Sequence, residues 1–465
     1  MQKFDLIVIG SGSGLDVANA ASQQGLRVAI IEKGKLGGTC LNRGCIPSKM
    51  IIHSADLVEK IKQAEIFGIR VNDGGGLSID FHKIISRVND IIDSHSLEIK
   101  NGLERSENPK LFTRECKFVG DKTLALMEGN EEKEEIISAE KILIASGTSP
   151  IIPEIKGLKG SGYITSDEAL RILHQPRVLT FIGGGYIACE LAHFFGSLGT
   201  EINIIQKSNL LIPQEDEEIS IKFTEIFSKK FKVYLGYNTE SVSRDNVNEF
   251  HVIARNSDGK SLEVESDQLL VSVGRGPNSD ILDVAITGVQ LNEKGFVKVD
   301  EYLETSVKGI FAIGDAVGRY QFKHNSNNEA KYAYHNILNS GKKIAVDYFA
   351  MPHAIFSSPQ IAGVGFTEQE LRMMKQYDYQ KSVYPYINTA MGKTIEDKDG
   401  FVKFLVDKKD RKILGCHIMG SDASILIHEV LVAMKAADGK IDSINKTIHI
   451  HPALSEVIAR AASSI

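Results

Sequence analysis

The sequence predicts an α/β protein with two βαβ units and a separate α+β domain at its C-terminal end. Residues 4–31 and residues 177–205 each combine a buried strand, a glycine-rich turn, a helix and a second strand. Residues 401–437 combine two strands joined by a turn with an amphipathic helix, which predicts the last domain. At 465 residues, the chain is long enough for two to four domains with large cores.

The composition is that of an ordinary globular protein, with 42% hydrophobic and 25% charged residues. A net charge of −6 without any basic tract argues against binding to nucleic acid. No stretch of about eighteen apolar residues occurs, so we expect no membrane span. The first strand begins at Phe4, which leaves no room for a signal peptide, and the five cysteines do not form a secreted disulfide framework. We therefore expect a cytoplasmic protein.

The first βαβ unit has the features of a dinucleotide site. A buried strand, Phe4–Ile9, leads into the turn Gly10–Gly14, where glycines let the backbone approach a pyrophosphate at the helix N-terminus. The helix continues to about Gln24, and the second strand ends at Glu32, whose carboxylate is suited to bind a ribose hydroxyl. Leu15 replaces the third glycine of the G-x-G-x-x-G pattern, so a glycine turn in an unrelated α/β unit is the alternative.

The second βαβ unit argues against accidental glycine turns. The strand Arg177–Ile182 precedes Gly183–Ala188, which fits G-x-G-x-x-A. Two such units imply two dinucleotides in two Rossmann-like domains. The second strand ends at Gln206 instead of an acid, and Lys207 follows. This ending disfavours exclusive NAD use, and Lys207 either accommodates a 2′-phosphate or is only a solvated lysine.

Further strand ends connect the two units. Residues 141–148 and 269–278 have the pattern of two crossings between nucleotide-binding domains, and a third strand ends in Gly314 and Asp315. Asp315 is suited to accept a hydrogen bond from the ribityl chain of a flavin, whereas a bare aspartate at a strand end most often caps a helix. We expect Gly74–Gly76 to form a loop and the acidic run 131–135 to form a solvated hairpin tip.

The segment Gly37–Lys49 brings Cys40 and Cys45 close together in the sequence. Pro47 suits the first turn of a helix, which puts Cys45 at the helix N-terminus, where free N–H groups and the dipole stabilise a thiolate. We expect Cys40 to lie in the loop before this helix and to form a redox couple with Cys45. Two buried structural cysteines are the alternative, and no metal site is expected because no second Cys or His pair has ligand spacing. Three other cysteines are isolated and expected to be buried: Cys116, Cys189 and Cys416.

The C-terminal segment supplies a candidate acid–base pair. Thiol chemistry needs a proton acceptor poised near neutral pH, and histidine suits this task. The pattern predicts that Pro452 opens a helix, with His451 before it and Glu456 one turn into it, where the carboxylate would orient the imidazole. A histidine beside a proline is otherwise a structural residue, and we assign His449 no role beyond packing.

In these motifs and their order, the chain resembles the FAD-dependent pyridine nucleotide–disulfide oxidoreductases (class I) from end to end. The resemblance implies two Rossmann-like domains, which bind FAD and NAD(P), and a C-terminal α+β dimerisation domain. It places the FAD-binding domain at 1–148 and 273–347, the NAD(P)-binding domain at 149–272 and the dimerisation domain at 348–465. It also implies a homodimer in which each active site receives its acid–base pair from the partner subunit.

The resemblance further implies roles for individual residues. Cys40 would attack the substrate disulfide, and Cys45 would lie against the flavin, with Lys49 near the flavin and paired to Glu190. His451 and Glu456 would form the acid–base dyad. The residues expected to bind FAD are Gly10, Gly12, Gly14, Glu32, Lys33, Gly38, Thr39, Lys49, Ser146, Gly147 and Asp315. Those expected to bind NAD(H) or NADP(H) are Gly183, Gly185, Tyr186, Ile187, Glu190, Gln206, Lys207, Gly274 and Arg275.

The family acts on several disulfides, and the sequence has features of more than one branch. Ser48-Lys49, His324 and Glu329 are similar to the dihydrolipoamide dehydrogenase pattern. Features similar to NADPH-linked or mycothione reductases are Tyr186–Ala188, Gln206, Tyr320–His324 and Pro359–Ala362. We expect dihydrolipoamide dehydrogenase activity on a small dithiol or on the lipoyl group of a carrier domain. The alternative is an NADPH-dependent reductase of a low-molecular-weight disulfide of the mycothiol or glutathione type.

Overall fold

The structure, a computed structural model, describes residues 1–70, 77–128, 131–246 and 248–465. The predicted Gly74–Gly76 loop lies outside these residues. The acidic run 131–135, predicted to form a hairpin tip, belongs instead to the strand Glu131–Ile144, which pairs with the strand before it. Among the described helices, none combines the length and the apolar character needed to cross a lipid bilayer.

The first part of the chain forms the predicted βαβ unit and the elements that follow it. In chain order these are β1 (Gln2–Ile9), α1 (Gly14–Gln23), β2 (Val28–Ile31), α2 (Gly38–Arg43), α3 (Cys45–Gln63), α4 (Phe81–Arg105), β3 (Lys110–Phe112), β4 (Glu115–Gly120), β5 (Thr123–Glu128), β6 (Glu131–Ile144), β7 (Thr148–Pro150) and α5 (Ser166–Ala169). β1 pairs in parallel with both β2 and β6. The apolar runs at the ends of β1 and β2 are buried because helices and loops cover both faces of a parallel sheet.

The second βαβ unit forms a smaller parallel sheet. Its elements and those that follow are β8 (Val178–Ile182), α6 (Tyr186–Ser197), β9 (Glu201–Gln206), α7 (Glu217–Lys230), β10 (Lys232–Leu235), β11 (Tyr237–Arg244), β12 (Phe250–Asn256), β13 (Ser261–Ser266), β14 (Gln268–Val271) and β15 (Arg275–Pro277). The parallel sheet has the order β10-β9-β8-β14, and β11, β12 and β13 form an antiparallel sheet. β15 pairs with β7, so the two predicted crossings run side by side.

The chain then returns to the first sheet through β16 (Ile310–Ala312) and α8 (Lys323–Leu338). That sheet has the order β3-β2-β1-β6-β5-β4, and β16 pairs with β6. β1, β2, β6 and β16 are parallel, so their carboxyl ends lie at one edge of the sheet. This is the edge at which parallel α/β sheets bind ligands.

The C-terminal part forms the predicted α+β domain. Its elements are β17 (Pro352–Ile355), β18 (Ile361–Gly365), α9 (Glu368–Met374), β19 (Tyr379–Pro385), α10 (Ala390–Thr394), β20 (Phe401–Asp407), β21 (Ile413–Met419), α11 (Ala423–Lys435), α12 (Ile441–Asn445) and α13 (Glu456–Ser463). The antiparallel sheet has the order β17-β18-β21-β20-β19. Short 3₁₀ helices elsewhere in the chain are Ala64–Phe67, Val284–Thr287, Gly314–Ala316 and Tyr386–Asn388. The predicted domain bounds stay predictions, and the first of them falls inside β7.

One local prediction about the dithiol segment is wrong. Cys40 lies in the short helix α2 and not in a loop. The side-chain amide of Asn42 donates to the carbonyls of Leu36, at 2.9 Å, and Gly38, at 3.0 Å, and so ties the segment into a helical turn. These bonds join residues several positions apart, and helix propensity alone did not reveal them.

A second correction concerns the tail. The helix predicted to open at Pro452 begins instead at Glu456, which is therefore its first residue. Glu456 N–H donates to the Ala453 carbonyl at 3.2 Å, a tight bond that precedes the regular helical pattern. The residues between Pro452 and Glu456 are thus a turn.

A buried cluster of charges joins the second βαβ domain to the C-terminal sheet. Lys403 on β20 is fully buried, with its Nζ 2.8 Å from Asp216 Oδ1 and 2.7 Å from Glu368 Oε2. Asp216 also caps α7 by accepting from Glu218 N–H at 3.1 Å. Burial disfavours ionisation of Asp216, but His417, Lys403 and the Glu368 N–H outweigh burial and lower its pKa.

Lys403→Met should destabilise the protein by about 3–5 kcal/mol, because it leaves the Asp216 carboxylate buried without its ammonium partner. Thermal unfolding followed by circular dichroism measures the effect. Lys408→Met is the matched control, since it removes an exposed pair with Asp378 of similar length, 2.7 Å. The control should leave the melting temperature nearly unchanged. A Lys403→Met protein that melts with the parent would contradict the prediction.

Candidate active site

A cavity of about 810 Å³ lies where the carboxyl ends of β1, β2 and β6 meet the turn after β16. Its position at this edge of the sheet is that of a dinucleotide site, and its size is typical of cofactor clefts. The residues predicted to bind FAD that line it are Gly10, Gly12, Glu32, Lys33, Gly38, Thr39, Lys49, Ser146, Gly147 and Asp315. Cys40 and Cys45 line the same cavity.

The predicted nicotinamide residues divide into two groups. Those that line this cavity are Tyr186, Ile187, Glu190 and Arg275. Those that lie outside its lining are Gly183, Gly185, Gln206, Lys207 and Gly274. The residues that line the cavity mark the place where the second βαβ unit contacts the site predicted for FAD.

Two close backbone approaches explain the glycines around the first turn. Gly10 has a φ of +102°, and a Cβ at this position would clash with the Ala145 carbonyl oxygen. A Cβ on Gly38 would come within 2.7 Å of Gly12 Cα. The cavity floor is therefore bare backbone, which a pyrophosphate can approach.

Gly14 does not line the cavity, and its role is helix packing. A Cβ at Gly14 would lie 2.8 Å from Val8 Cγ1, so only glycine lets α1 pack this closely on β1. In the G-x-G-x-x-G pattern this is the task of the third glycine. With Leu15 at the position of the third glycine, Gly14 therefore permits the close packing of helix and strand.

Glu32 holds the glycine turn in place. Its Oε2 accepts from Ser11 N–H at 3.0 Å and from Ser11 Oγ at 2.8 Å, and its Oε1 accepts from Gly34 N–H at 2.9 Å. A carboxylate offers about four acceptor positions, so Glu32 can still accept a ribose hydroxyl. Lys33 beside it pairs with Glu115 at 3.1 Å.

Asp315 is linked to the crossing strands. Its Oδ2 accepts from Thr148 Oγ at 3.0 Å, and Arg275 donates to that same hydroxyl at 3.0 Å and to the Thr148 carbonyl at 2.8 Å. Burial raises the pKa of Asp315, while the Thr148 bond and the Arg275 charge act against the rise. Arg275, predicted to serve the nicotinamide, thus forms part of the wall beside Asp315.

The residues of this cavity fit FAD. Ser146 Oγ is buried in the wall and has no hydrogen-bond partner among the described residues. Buried hydroxyls are normally bonded, so this oxygen is ready for a group of the ligand. The glycine floor suits a pyrophosphate, and the carboxylates of Glu32 and Asp315 suit ribose and ribityl hydroxyls.

The two cavity cysteines are free thiols that share a hydrogen bond. The bond from Cys40 lowers the pKa of Cys45 to about 7, with help from the Lys49 charge and against the effect of burial. The same bond, together with burial, raises the pKa of Cys40. The pair therefore keeps one proton, on Cys40, while Cys45 becomes the thiolate near neutral pH.

The predicted ion pair between Lys49 and Glu190 is present. Lys49 Nζ lies 3.0 Å from Glu190 Oε1 and 2.8 Å from Oε2, and 4.6 Å from the centre of the Phe356 ring. Glu190 is 6% exposed and also accepts from Phe356 N–H at 2.9 Å. Lys49 is thus held at a fixed place one helical turn after Cys45.

The second glycine turn is organised by Gln206. Its Oε1 accepts from Gly184 N–H at 3.1 Å, and its Nε2 donates to the Leu210 carbonyl at 3.3 Å. The amide is therefore used inside the loop, and Lys207 beside it is exposed. Tyr186, the first residue of α6, is 44% exposed and faces the first cavity.

The predicted dyad forms, but away from the cavity. His451 Nδ1 lies 3.0 Å from Glu456 Oε1 and 3.1 Å from Oε2. A carboxylate only accepts, so Nδ1 carries the proton and Nε2 of the neutral ring remains an acceptor. The bond from His451 lowers the pKa of Glu456. The His451 side chain is 70% exposed and does not line the cavity of its own chain.

Lys323 is a cavity residue that the sequence did not assign to the site. It is the first residue of α8, and its Nζ lies 2.8 Å from Ser13 Oγ beside the glycine turn. Its charge favours ionisation of Cys40. No local sequence pattern identifies this lysine as a site residue, because its partner Ser13 is 310 residues away in the sequence.

A second cavity, of about 350 Å³, adjoins the dithiol segment. Leu41, directly after Cys40, and Ile46, directly after Cys45, are two of its walls. Its other side-chain walls are Ser11, Leu15, His95, Glu98 and Ile99. No lysine or arginine from the described parts of the chain lines it.

Comparisons with known proteins agree with these features. Residues 4–330 match the family model described as pyridine nucleotide-disulphide oxidoreductase, and residues 351–462 match that of its dimerisation domain. The chain is 34% identical over 471 residues to mycothione reductase of Mycobacterium tuberculosis (strain ATCC 25618 / H37Rv), with 99% of each chain covered. It is 30% identical over 474 residues to dihydrolipoyl dehydrogenase of Bacillus subtilis (strain 168), with 99% of this chain and 97% of the other covered.

Solved structures show the same architecture. The Cu(II) complex of the HOCl-induced flavoprotein disulfide reductase RclA from Escherichia coli superposes with a TM-score of 0.87 at 27% identity, with 100% of each chain covered. The whole chain, including the C-terminal domain, therefore has a known counterpart.

Lys49→Met should raise the pKa of Cys45 by about one unit or more, because the thiolate loses the positive charge of Lys49, which favours its ionisation. The measurement is the pH dependence of Cys45 alkylation by iodoacetamide in the reduced protein, read by mass spectrometry. Lys60→Met, on the exposed side of the same helix, is the control and should leave the midpoint near pH 7. An unchanged midpoint in Lys49→Met would refute the electrostatic role of Lys49.

Proposed function

Since the chain belongs to the pyridine nucleotide-disulphide oxidoreductase family, we propose that it carries electrons between a nicotinamide cofactor and a substrate dithiol/disulfide couple through Cys40 and Cys45. FAD and NAD(P)H are its cofactors. The observation that carries the proposal is a dithiol that keeps one proton and lies in the wall of the dinucleotide cavity. We propose the lipoyl dithiol as substrate, which makes the activity that of a dihydrolipoyl dehydrogenase.

Binding of the cofactor falls to the cavity residues already described. Gly10 and Gly12 would admit the pyrophosphate, while Glu32 and Asp315 would accept ribose and ribityl hydroxyls. Bound FAD supplies two-electron exchange between a thiolate and a nicotinamide. Lys49 would keep a positive charge beside the Cys45 sulfur throughout.

The thiol steps follow from the proton positions. His451 of the partner subunit takes the proton of one substrate thiol, and the resulting thiolate attacks Cys40 Sγ of the Cys40–Cys45 disulfide. The S–S bond breaks and Cys45 leaves as a thiolate, which its low pKa favours. The second substrate thiol then displaces Cys40, which leaves protonated, and the substrate is released as a disulfide.

The electron balance closes over one turnover. The substrate dithiol loses two electrons and two protons, NAD(P)⁺ gains a hydride, and one proton goes to solvent. Cys40 and Cys45 return to the disulfide when their two electrons and one proton have left. In the opposite direction the same residues reduce a disulfide at the expense of NAD(P)H.

The small cavity supports a lipoyl substrate. Leu41 and Ile46 follow the two cysteines, and the apolar walls beside them would receive an aliphatic chain attached to a dithiolane ring. Glutathione disulfide brings several carboxylates, and Glu98 would repel them where no lysine or arginine of the described chain offers a counter-charge. The lipoyl group on a carrier domain is the substrate form that we propose.

An NADPH-dependent reductase of a small disulfide is the second candidate, and Gln206 favours it. The ribose-binding acid expected of an NAD site is replaced by an amide that is bonded within its own loop. Because residue 206 is a glutamine, this position carries no negative charge that would repel a 2′-phosphate. The exposed Lys207 is adjacent and would pair with the phosphate.

We further propose a cytoplasmic homodimer. His451 of the dyad is exposed on the surface of its own chain, and two exposed isoleucines precede it in sequence, Ile448 at 96% and Ile450 at 77% exposure. A second copy of the C-terminal domain would cover these side chains and bring Nε2 of His451 to the partner's dithiol.

The test of this function is a set of steady-state assays that cross dihydrolipoamide, glutathione disulfide and mycothiol disulfide with the two nicotinamides in the appropriate redox state. We expect the highest kcat/KM with dihydrolipoamide. Cys45→Ser is the control and should abolish every thiol-dependent turnover. High activity with NADPH and a small disulfide, without dihydrolipoamide oxidation, would establish the second candidate instead. Full activity of Cys45→Ser would overturn the dithiol role itself.

His451→Gln should lower kcat about 10²–10⁴-fold, because the substrate thiol loses its proton acceptor. Hybrid dimers test the shared site. A mixture of refolded Cys45→Ser and His451→Gln chains should regain about a quarter of the parent activity, since half the dimers are hybrids with one complete site. Each variant refolded alone is the control and should stay inactive. A mixture no more active than its components would argue that the site is not shared.

A further inference from the structure

A second polar contact joins α3 to α6, beyond the Lys49–Glu190 pair. Asp56 Oδ1 lies 2.8 Å from His193 Nε2. Because a carboxylate only accepts, the imidazole donates this bond through Nε2–H. Asp56 is on the same helix as the redox-active Cys45, and His193 is on the helix that carries Glu190.

The His193 ring is held on both sides. The residue is 2% exposed, and Ser197 Oγ lies 3.2 Å from its Nδ1, so both ring nitrogens have partners. The Asp56 side chain is 32% exposed and keeps part of its hydration. Burying an imidazole at a helix interface costs free energy unless its nitrogens are bonded, so this contact depends on Asp56 being in place.

The Lys49–Glu190 and Asp56–His193 contacts lie along the same helix–helix interface, so they depend on each other. Lys49 and Asp56 are two turns apart on α3, and Glu190 and His193 are one turn apart on α6, so each pair shares a helix face. A third bond, from Lys62 Nζ to the Ser197 carbonyl at 2.8 Å, continues the same contact. A shift of α6 against α3 would therefore move Glu190 away from Lys49.

We propose that Asp56 and His193 are positioning residues, which lock α6 onto α3 and so hold Glu190 against Lys49 beside the Cys45 thiolate. This inference rests on the proposed redox role of Cys45. Neither residue lines the cofactor cavity, so both act through the Lys49–Glu190 pair. The charge next to the reactive sulfur is thereby set by a contact two helical turns away.

Replacement of His193 tests the proposal with a matched pair of variants. His193→Leu fills the buried site without a donor, whereas His193→Gln keeps an amide N–H that can reach Asp56. The readout is the pH midpoint of Cys45 alkylation in the reduced holoenzyme, which does not depend on the identity of the substrate. His193→Leu should move the midpoint by about half a unit or more, and His193→Gln should restore it.

A double-mutant cycle separates positioning from general loosening of the fold. In a Glu190→Gln background the pair with Lys49 is already weakened, so adding His193→Leu should produce no further shift. Lys60→Met replaces an exposed side chain of α3 that takes no part in the contacts with α6 described above, and it should leave the midpoint unchanged. Should His193→Leu fail to fold, Asp56→Ala removes the same bond from its more exposed side.

The outcomes are distinct. A normal midpoint in folded His193→Leu, or an equal shift with and without Glu190→Gln, would overturn the positioning role and leave a purely structural contact. Failure of the proposed function would appear elsewhere, as thiol-dependent turnover by Cys45→Ser.

Discussion

The buried carboxylate of Glu190 is the constraint on which the arrangement of the site depends. A carboxylate that is 6% exposed must be paired, and its partners come from two other parts of the chain. Lys49 Nζ, on the helix that begins with Cys45, lies 2.8 Å away, and the Phe356 N–H, at the start of the C-terminal domain, lies 2.9 Å away. The need to satisfy one charge therefore joins three parts of the chain beside the dithiol segment.

The same ion pair contributes to the difference between the pKa values of Cys40 and Cys45. Cys45 lies one turn before an ammonium that cannot leave its carboxylate, and it receives a hydrogen bond from Cys40. Cys40 holds the shared proton and lines the same large cavity as Cys45. The pKa values of the two cysteines therefore differ, and under the proposed function Cys45 is the thiolate beside Lys49 while Cys40 meets the substrate. Under the proposed function the substrate needs a base, and the dyad of His451 and Glu456, which lies away from the cavity of its own chain, would come from a second copy.

Short-range patterns were sufficient to predict most of the architecture. Strands such as Phe4–Ile9, the two glycine turns and the helix after Cys45 follow from periodicity and from residues with special backbone preferences, which act over a few positions. The comparisons confirm the family, the fold class and the cofactors. The errors, at Cys40 and at Pro452, arose where side chains such as Asn42 and Glu456 bond backbone groups and replace the regular pattern.

By itself, the sequence determined the chemistry: a C-x4-C dithiol, two dinucleotide-binding turns and a His–Glu pair. The tertiary structure decided which groups act together. It placed Arg275 beside Asp315, let Gly14 replace the third motif glycine, and used the Gln206 amide within its own loop. It also brought Lys323 to the first glycine turn and His193 to Asp56. These pairs are far apart in sequence, and hydrogen bonds and charges act between neighbours in space, so only the folded chain reveals them.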